Sequence, residues 1–134
     1  DGGLNRALLA QRAFASDQNR KDLEGILHPL IQKLSRERIA EVEGIAIYTI
    51  PLLVETNSAL PFDKIITISC SEEVRVERLI ASRGMSEDEA RSRIKAQATD
   101  AQREAVADFV INSDCTIDEL MDQVDRVFAE ATNE

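Results

Sequence analysis

Among the residues that could do chemistry, Glu55 is the best placed, because it follows a short apolar run at residues 45–50. Near-continuous runs of this kind, rich in β-branched side chains, predict strands that are buried on both faces of a parallel sheet. Pro51 cannot donate to a ladder and ends the predicted strand. Ligands of open α/β sheets bind at the carboxyl edge, where an acid can orient a substrate hydroxyl or a water. The alternative for Glu55 is an ordinary solvated loop carboxylate.

The sheet that would position Glu55 is predicted from two further runs. Residues 64–69 (KIITIS) predict a second strand, and residues 109–111 a brief third one. Strands that alternate with helical patterns indicate βαβ crossovers and a parallel sheet. Periodicity alone does not exclude a buried helix at residues 45–50, but Pro51 and the shortness of the run favour a strand.

Helices are predicted from apolar spacing and from capping residues. The predicted N-terminal helices are residues 4–14, a helix capped by Ser16 or Asp17, and a third helix to about Glu43, with Gly44 as its C-cap. Pro29 either ends the second helix or occupies the first turn of the third. The later helices are residues 72–83, opened by Ser71 and ended by Gly84, residues 86–98, and a final amphipathic helix with an apolar stripe from Ile117 to Ala131. Capping boxes at Ser86-x-x-Glu89 and Thr116-x-x-Glu119 open the last two.

Composition and charge argue against several classes of protein. The 134 residues suit one domain, and neither a membrane-length apolar run nor a secretory signal is present. The net charge is −9, and residues 105–134 hold 1 basic and 8 acidic side chains. An acidic chain with 4% aromatic residues and no Trp is not expected to bind nucleic acid. Cys70 and Cys115 lack metal-type spacing and are expected to be small buried side chains in a reducing, cytoplasmic setting, and the lone His28 cannot anchor a His-rich metal site.

Several stretches, in order along nearly the whole chain, carry a resemblance to a known family. They are Leu4-Asn5-Arg6 with Leu8 and Phe14, Leu23 with Ile26 and His28-Pro29-x-Ile31, Ile50-Pro51-Leu52-Leu53-Val54-Glu55, Arg78 and Arg83, Ala96-Gln97, Arg103, Ala107-Asp108, and Val110-Ile111-Asn112. In combination they resemble dephospho-coenzyme A kinase. The chain departs from the family at Val54, where Phe is usual, and at Ser113 and Asp114, where Asn and Gly are usual.

The resemblance implies an α/β fold with a parallel sheet and flanking helices, of the P-loop NTPase and nucleoside-monophosphate-kinase type. It implies ATP-dependent phosphorylation of the 3′-hydroxyl of dephospho-coenzyme A, with Mg²⁺ as the metal. The partners are then dephospho-coenzyme A and ATP, with no nucleic acid and no membrane. By the same resemblance, the stretches of the single domain are acceptor-side helices at 1–43, core strands at 44–70, lid-type helices at 71–104, and the last strand and helix at 105–134.

The resemblance also implies two groups of site residues. The substrate-binding group is His28, Pro29, Leu53 and Glu55, and the ATP and lid group is Arg78, Arg83, Gln97, Arg103 and Ser113, with Ser113 at the base-contacting end. Arginine forks on a closing segment can meet phosphoryl oxygens and exclude water. The alternatives are a helix-end histidine at His28, a surface glutamine at Gln97, and ordinary ion pairs for arginines such as Arg75, Arg91 and Arg93.

The string G-x-x-x-x-G-K-[ST], which would hold the ATP phosphates, does not occur in the sequence. The chain also opens on Asp1-Gly2-Gly3, which is turn chemistry without an initiator Met. We therefore interpret it as the carboxyl-terminal part of such a kinase, inactive on its own and without a catalytic residue or metal ligand. The resemblance implies that the phosphate-loop strand lies in the sheet between the strands at 45–50 and 64–69. Without it two strand edges stay unpaired, which a retained N-terminal segment, a rearrangement or pairing with another chain would cover.

Two other interpretations stay open at the level of sequence. The chain could be a non-catalytic module that binds coenzyme A or a partner protein and lacks the phosphate loop by nature. It could also be part of another small-molecule kinase of the same architecture. An upstream phosphate loop in the gene would eliminate the first, and acceptor profiling would separate the second.

Overall fold

In a computed structural model of the protein, residues 3–56 and 60–133 are described. The chain divides into two compact units, Asp1–Thr49 and Ile50–Glu134. Asp1 and Gly2 of the predicted opening turn, and residues 57–59 of a predicted loop, lie outside the described residues.

The described part of the first unit contains two helices, α1 (Arg6–Ala13) and α2 (Asp17–Ala40). Each begins at a polar cap that accepts from the third residue beyond it: Asn5 Oδ1 from the Leu8 N–H at 3.0 Å, and Ser16 Oγ from the Asn19 N–H at 3.1 Å. Such caps satisfy donors that a helix start otherwise leaves free. The caps therefore set the boundary between the two helices.

The prediction of two separate helices around Pro29 is wrong, because α2 runs without a break through Pro29. Proline removes one N–H and disfavours a helix interior, yet the hydrogen bonds on either side continue the helix over 24 residues. Gly44 is not the C-cap either. Glu41 ends the helix in a right-handed conformation, and Gly44, with a φ of 95°, lies in the bend that follows.

The predicted strand at residues 45–50 is also wrong, because these residues form no regular element. The run is solvent-exposed rather than buried, with Ile47 82% exposed, and its Tyr48 hydroxyl lies 2.9 Å from Ser35 Oγ of α2. A strand needs a ladder partner, and the sheet seen in the described residues has two strands, both from later in the chain. The stretch after the run is a turn followed by a short helix, α3 (Leu53–Thr56).

The second unit is built on two parallel strands, β1 (Ile66–Ser69) and β2 (Phe109–Asn112). The strands are in register from Ile66 opposite Phe109 to Ser69 opposite Asn112. Asp108 fixes the start of the pair, since its N–H donates to the Ile65 carbonyl at 2.8 Å and its Oδ2 accepts from the Ile65 N–H at 2.7 Å. The parallel pairing confirms the predicted α/β fold with flanking helices.

Four helices complete the second unit: α4 (Glu72–Arg83), α5 (Glu87–Lys95), α6 (Asp100–Glu104) and α7 (Ile117–Thr132). Both predicted capping boxes are confirmed at the starts of α5 and α7. The pKa of Glu89 is lowered by a hydrogen bond from the backbone N–H of Ser86 and, to a smaller extent, by one from its hydroxyl. The N–H and hydroxyl of Thr116 lower the pKa of Glu119 in the same way. The predicted helix at 86–98 is too long, because α5 ends at Lys95 and α6, with its own box at Thr99 and Gln102, was not predicted.

The buried apolar side chains of the second unit are few and mostly small. They include Leu60, Val76, Ala90, Ile111 and Val127. In the predicted core stripe of α7, Val127 is buried, Leu120, Val124 and Ala131 are half-buried, and Ile117, Met121 and Phe128 are exposed. Cys70 and Cys115 are half-buried rather than buried. Within the described residues, even the 24-residue α2 is too polar to cross a bilayer.

Two glycine substitutions should have opposite effects on stability. Gly84 ends α4 with a φ of 63°, whereas Gly25 lies inside α2, and an added Cβ meets nothing within 4 Å at either site. Gly84→Ala should lower the free energy of unfolding by about 1–2 kcal/mol, the strain of a left-handed L-residue. Gly25→Ala should raise it by about 0.5–1 kcal/mol, because alanine loses less backbone entropy in a helix. Urea unfolding followed by circular dichroism measures both, and equal effects would contradict the assignment.

Candidate functional site

The candidate site lies at the carboxyl ends of β1 and β2, the edge where parallel α/β sheets bind ligands. Ser113, immediately after β2, is 8% exposed and joins the two strand ends. Its N–H and its hydroxyl both point to the Ser69 carbonyl, at 2.8 and 3.2 Å. These two hydrogen bonds fix the position of Ser113 relative to β1 at this edge of the sheet.

Arg78 of α4 reaches the same serine with both terminal nitrogens of its guanidinium. Nη1 donates to Ser113 Oγ at 3.0 Å, and Nη2 donates to the Ser113 carbonyl at 2.7 Å. A guanidinium has five N–H donors, so three remain beyond these two contacts. The structure therefore brings together two predicted site residues that lie 35 positions apart in the sequence.

The loop after β2 is also tied to the first turn of α4. Asp114 Oδ2 accepts from the Ser71 N–H at 2.7 Å, while the Asp114 N–H donates to Asn112 Oδ1 at 2.7 Å. Within the described residues, the Ser71 hydroxyl makes no cap bond to α4, so the carboxylate beside the helix start comes from Asp114. A negative charge there interacts favourably with the helix dipole. Sequence reasoning noted Asp114 as a departure from the family and assigned it no contact.

A second cluster joins α4 to α6 through three charged side chains. The Asp100 carboxylate accepts from Arg75 with one oxygen and from Arg103 with the other. Burial raises the pKa of Asp100, but the hydrogen bonds and charges of Arg103 and Arg75 outweigh burial and lower it overall. Arg75 Nε is buried without a partner among the described residues. The predicted lid residue Arg103 is thus held by Asp100.

The surface ion pairs predicted for Arg91 are confirmed, whereas Arg75 pairs through a side chain that is only 24% exposed, and Arg93 forms no ion pair within the described residues. Arg75 pairs with Asp100, and Arg91 of α5 pairs with Glu72 of α4 and with Glu87 of its own helix, both at 2.9 Å. The pair with Glu72 joins α5 to the start of α4. The exposed pairs of Arg91 stabilise by at most about 1 kcal/mol each.

Glu55 of α3 lies beside the turn between α5 and α6. Its Oε1 accepts from the Ala98 N–H at 2.8 Å, next to the exposed Gln97, whose own N–H donates to the Ile94 carbonyl. The carboxylate of Glu55, which was predicted to bind substrate, therefore accepts a hydrogen bond from a backbone amide. The 43 residues between the two partners explain why no local pattern indicated the contact.

The other predicted site residues are placed separately. His28 and Pro29 lie inside α2 of the first unit, with His28 half-buried, so the alternative of a helix-end histidine is wrong. Leu53 is half-buried in α3 of the second unit. Arg83 is exposed in the last turn of α4, where a positive charge interacts favourably with the helix dipole. In the described part of the chain, no group of three or more His, Cys, Asp or Glu side chains could hold a metal ion.

Comparison with known proteins gives a consistent family match. A family model described as dephospho-CoA kinase matches residues 1–119. A dephospho-CoA kinase of Mycolicibacterium paratuberculosis is 42% identical over 132 residues, which cover 97% of this chain and 32% of that protein. That of Thermobifida fusca is 40% identical over 132 residues, with 97% and 66% covered. The chain thus spans about a third of the length of the first curated relatives it matches.

Solved structures show the same fold. A crystal structure of a Thermus thermophilus protein has a TM-score of 0.78 at 28% identity and covers 96% of this chain and 68% of that one. A dephospho-CoA kinase structure from Campylobacter jejuni has a TM-score of 0.63 at 19% identity, with 99% and 68% covered, and shows the fold alone. Both have the α/β fold seen in this chain.

The Asp100 cluster should make stability depend on pH in acid. A lowered folded-state pKa means that the charged carboxylate contributes stability above its ordinary value of 3.8, and that the contribution is lost as the pH falls through the folded value. Asp100→Asn should therefore be less stable than wild type at pH 6, and the difference should shrink below pH 3.8. Urea titrations at several pH values measure this, with the exposed Asp125→Asn in α7 as control. A stability difference between Asp100→Asn and wild type that does not change with pH would contradict a stabilising role for the charged Asp100.

Proposed function

Because the chain belongs to the dephospho-CoA kinase family, we propose that it is part of an enzyme that transfers the γ-phosphoryl group of ATP to the ribose 3′-hydroxyl of dephospho-coenzyme A. The observation that carries this proposal is the Arg78–Ser113 contact at the carboxyl ends of β1 and β2. It puts a cation with free donors at the edge of a parallel sheet where nucleotides bind. The product of the reaction is coenzyme A.

In this proposal the second unit binds ATP and carries the lid. The remaining N–H groups of Arg78 meet phosphoryl oxygens, and Ser113 lies toward the base. Arg83 and Arg103 contribute further positive charge, and Gln97 lies at the hinge between α5 and α6. Helix α5 is suited to a lid because it buries little beyond Ala90 and is joined to α4 by the exposed Arg91–Glu72 pair. Closing such a segment would exclude water from the transfer step.

A role in binding the acceptor is proposed for His28 and Pro29 in the first unit and, separately, for Leu53 and Glu55 in the second. Glu55 keeps one carboxylate oxygen beyond its contact to Ala98, since only Oε1 accepts that N–H. That second oxygen can orient a substrate hydroxyl, while the first holds the turn beside the lid. Glu55 then links acceptor orientation to the position of α5 and is not assigned the role of base.

Phosphoryl transfer also needs groups that this chain does not supply. The sequence contains no G-x-x-x-x-G-K-[ST] string, which would cradle the phosphates and present a hydroxyl to Mg²⁺. Within the described residues, no group of three or more His, Cys, Asp or Glu side chains could hold a metal ion, and no step on this chain is assigned to Mg²⁺. We assign the ion and the phosphate loop to the full-length protein, in a cytoplasmic setting that agrees with the two free cysteines. A further segment or a second copy is proposed to complete the sheet.

Full-length protein should release ADP only when dephospho-coenzyme A is present, and mass spectrometry should show one phosphate added to that acceptor. The 134-residue chain alone should give no ADP above a no-protein control, because it lacks the phosphate loop. Full-length protein that leaves dephospho-coenzyme A unphosphorylated would refute the proposed function. Turnover by the 134-residue chain would refute its predicted inactivity.

Arg78→Ala in the full-length protein should lower kcat/KM for ATP about 10- to 100-fold, the effect of charged hydrogen bonds worth about 1.5–3 kcal/mol. Arg78→Lys should recover little, because a single ammonium cannot span the two Ser113 oxygens as the guanidinium does. Steady-state kinetics with varied ATP measure both variants. Arg36→Ala, at an exposed arginine of α2, is the control. An Arg78→Ala enzyme that behaves like this control would contradict the role.

A further inference from the structure

The side-chain amide of Gln123 in α7 occupies the position of a neighbouring strand beside Asn112, the last residue of β2. The Asn112 N–H donates to Gln123 Oε1 at 3.0 Å, and Gln123 Nε2 donates to the Asn112 carbonyl at 2.9 Å. One amide therefore satisfies both backbone groups of one residue, as a paired strand residue would. Only one orientation of the amide does so, because one end accepts and the other donates.

The ladder explains why these backbone groups need a partner from α7. Ser113 bonds to Ser69 of β1 through its N–H. In a parallel pair, backbone groups point alternately toward and away from the partner strand, so those of Asn112 point away from β1. Gln123 meets them on that side. The end of β2 is thus held by β1 on one side and by a helix side chain on the other.

The side chain of Asn112 also bonds to the loop at residues 112–115. Its Oδ1 accepts from the Asp114 N–H at 2.7 Å, and Asp114 in turn bonds to the Ser71 N–H. Arg78 holds Ser113 between them. The loop is therefore fixed from α4 by Arg78 and Ser71 and from α7 by Gln123.

We propose that Gln123 is a positioning residue for ATP: it acts through the backbone of Asn112 to hold the 112–115 loop in the conformation that receives the base. This inference rests on the proposed function, in which Ser113 lies toward the base. Gln123 touches the loop and not the substrate. Its loss should therefore weaken ATP binding and leave the chemical step and the acceptor site nearly unchanged.

The role can be separated from general stability because Asn112 is exposed. When Gln123 is truncated, water can meet the released N–H, and the carbonyl still accepts from Cys115 Sγ at 3.2 Å, so no buried polar group is left unpaired. The folded state should then lose little stability, while the loop gains freedom. A purely structural role would instead lower the melting temperature and leave KM for ATP unchanged.

The experiment uses full-length protein with Gln123→Ala, Gln123→Glu and, as control on the same helix, Glu130→Ala at an exposed position. Gln123→Ala should raise KM for ATP about 5- to 10-fold, as expected for lost neutral hydrogen bonds. The values of kcat and of KM for dephospho-coenzyme A should change less than 2-fold. Gln123→Glu should not restore KM, because a carboxylate accepts from the Asn112 N–H but cannot donate to its carbonyl.

Each outcome decides a different point. A raised KM for ATP in both Gln123 variants, with kcat and Glu130→Ala unaffected, supports the positioning role. An active wild type whose Gln123→Ala variant matches Glu130→Ala overturns this inference and leaves the proposed function standing. A Gln123→Ala variant with a lower melting temperature but an unchanged KM also overturns it. A wild type that never phosphorylates dephospho-coenzyme A overturns the proposed function, and this inference with it.

Discussion

The arrangement of β1, β2 and α4 in the second unit depends on the hydrogen bonds at the end of β2, and Ser113 makes several of them. Its N–H and hydroxyl reach Ser69 of β1, and its hydroxyl and carbonyl accept from Arg78 of α4. All polar groups of a nearly buried residue are therefore satisfied, so the position tolerates little displacement. Two strands of four residues each would be weakly defined without such a junction.

Polar contacts carry much of this organisation because the buried apolar core is small. Ala90 and Val76 are among the most buried apolar side chains, and neither is large. Helices that bury little are positioned by directed contacts instead, such as Asp114 to Ser71, Asp100 to two arginines, and Glu55 to Ala98.

Local patterns predicted the parts of the fold that depend on neighbouring residues. The capping boxes at Ser86 and Thr116 and the end of α4 at Gly84 were predicted because each depends on residues within a few positions of the chain. Thr99 and Gln102 carry the same box pattern, and applying it there would have found α6. The length of α2 was missed because a proline penalty was weighed without the hydrogen bonds on either side of it.

Contacts across many residues could not be predicted in this way. Arg78 and Ser113 were each proposed from the family pattern, but their direct contact spans 35 residues and depends on the pairing of β1 with β2. The Glu55 contact to Ala98 and the Gln123 contact to Asn112 left no local pattern at all, because both are side chains that bond to distant backbone groups.

Residues 45–50 show how far a strand pattern depends on its surroundings. The composition of the run favours a strand in any buried sheet, since β-branched side chains pack well on a pleated surface. A strand exists only when its N–H and C=O groups meet a second strand, and the described residues offer that pairing to β1 and β2 alone. The exposed Ile47 is consistent with this reasoning. The intrinsic preference of its residues makes a segment suitable for a sheet, but it forms a strand only when its backbone hydrogen-bonds to a second strand.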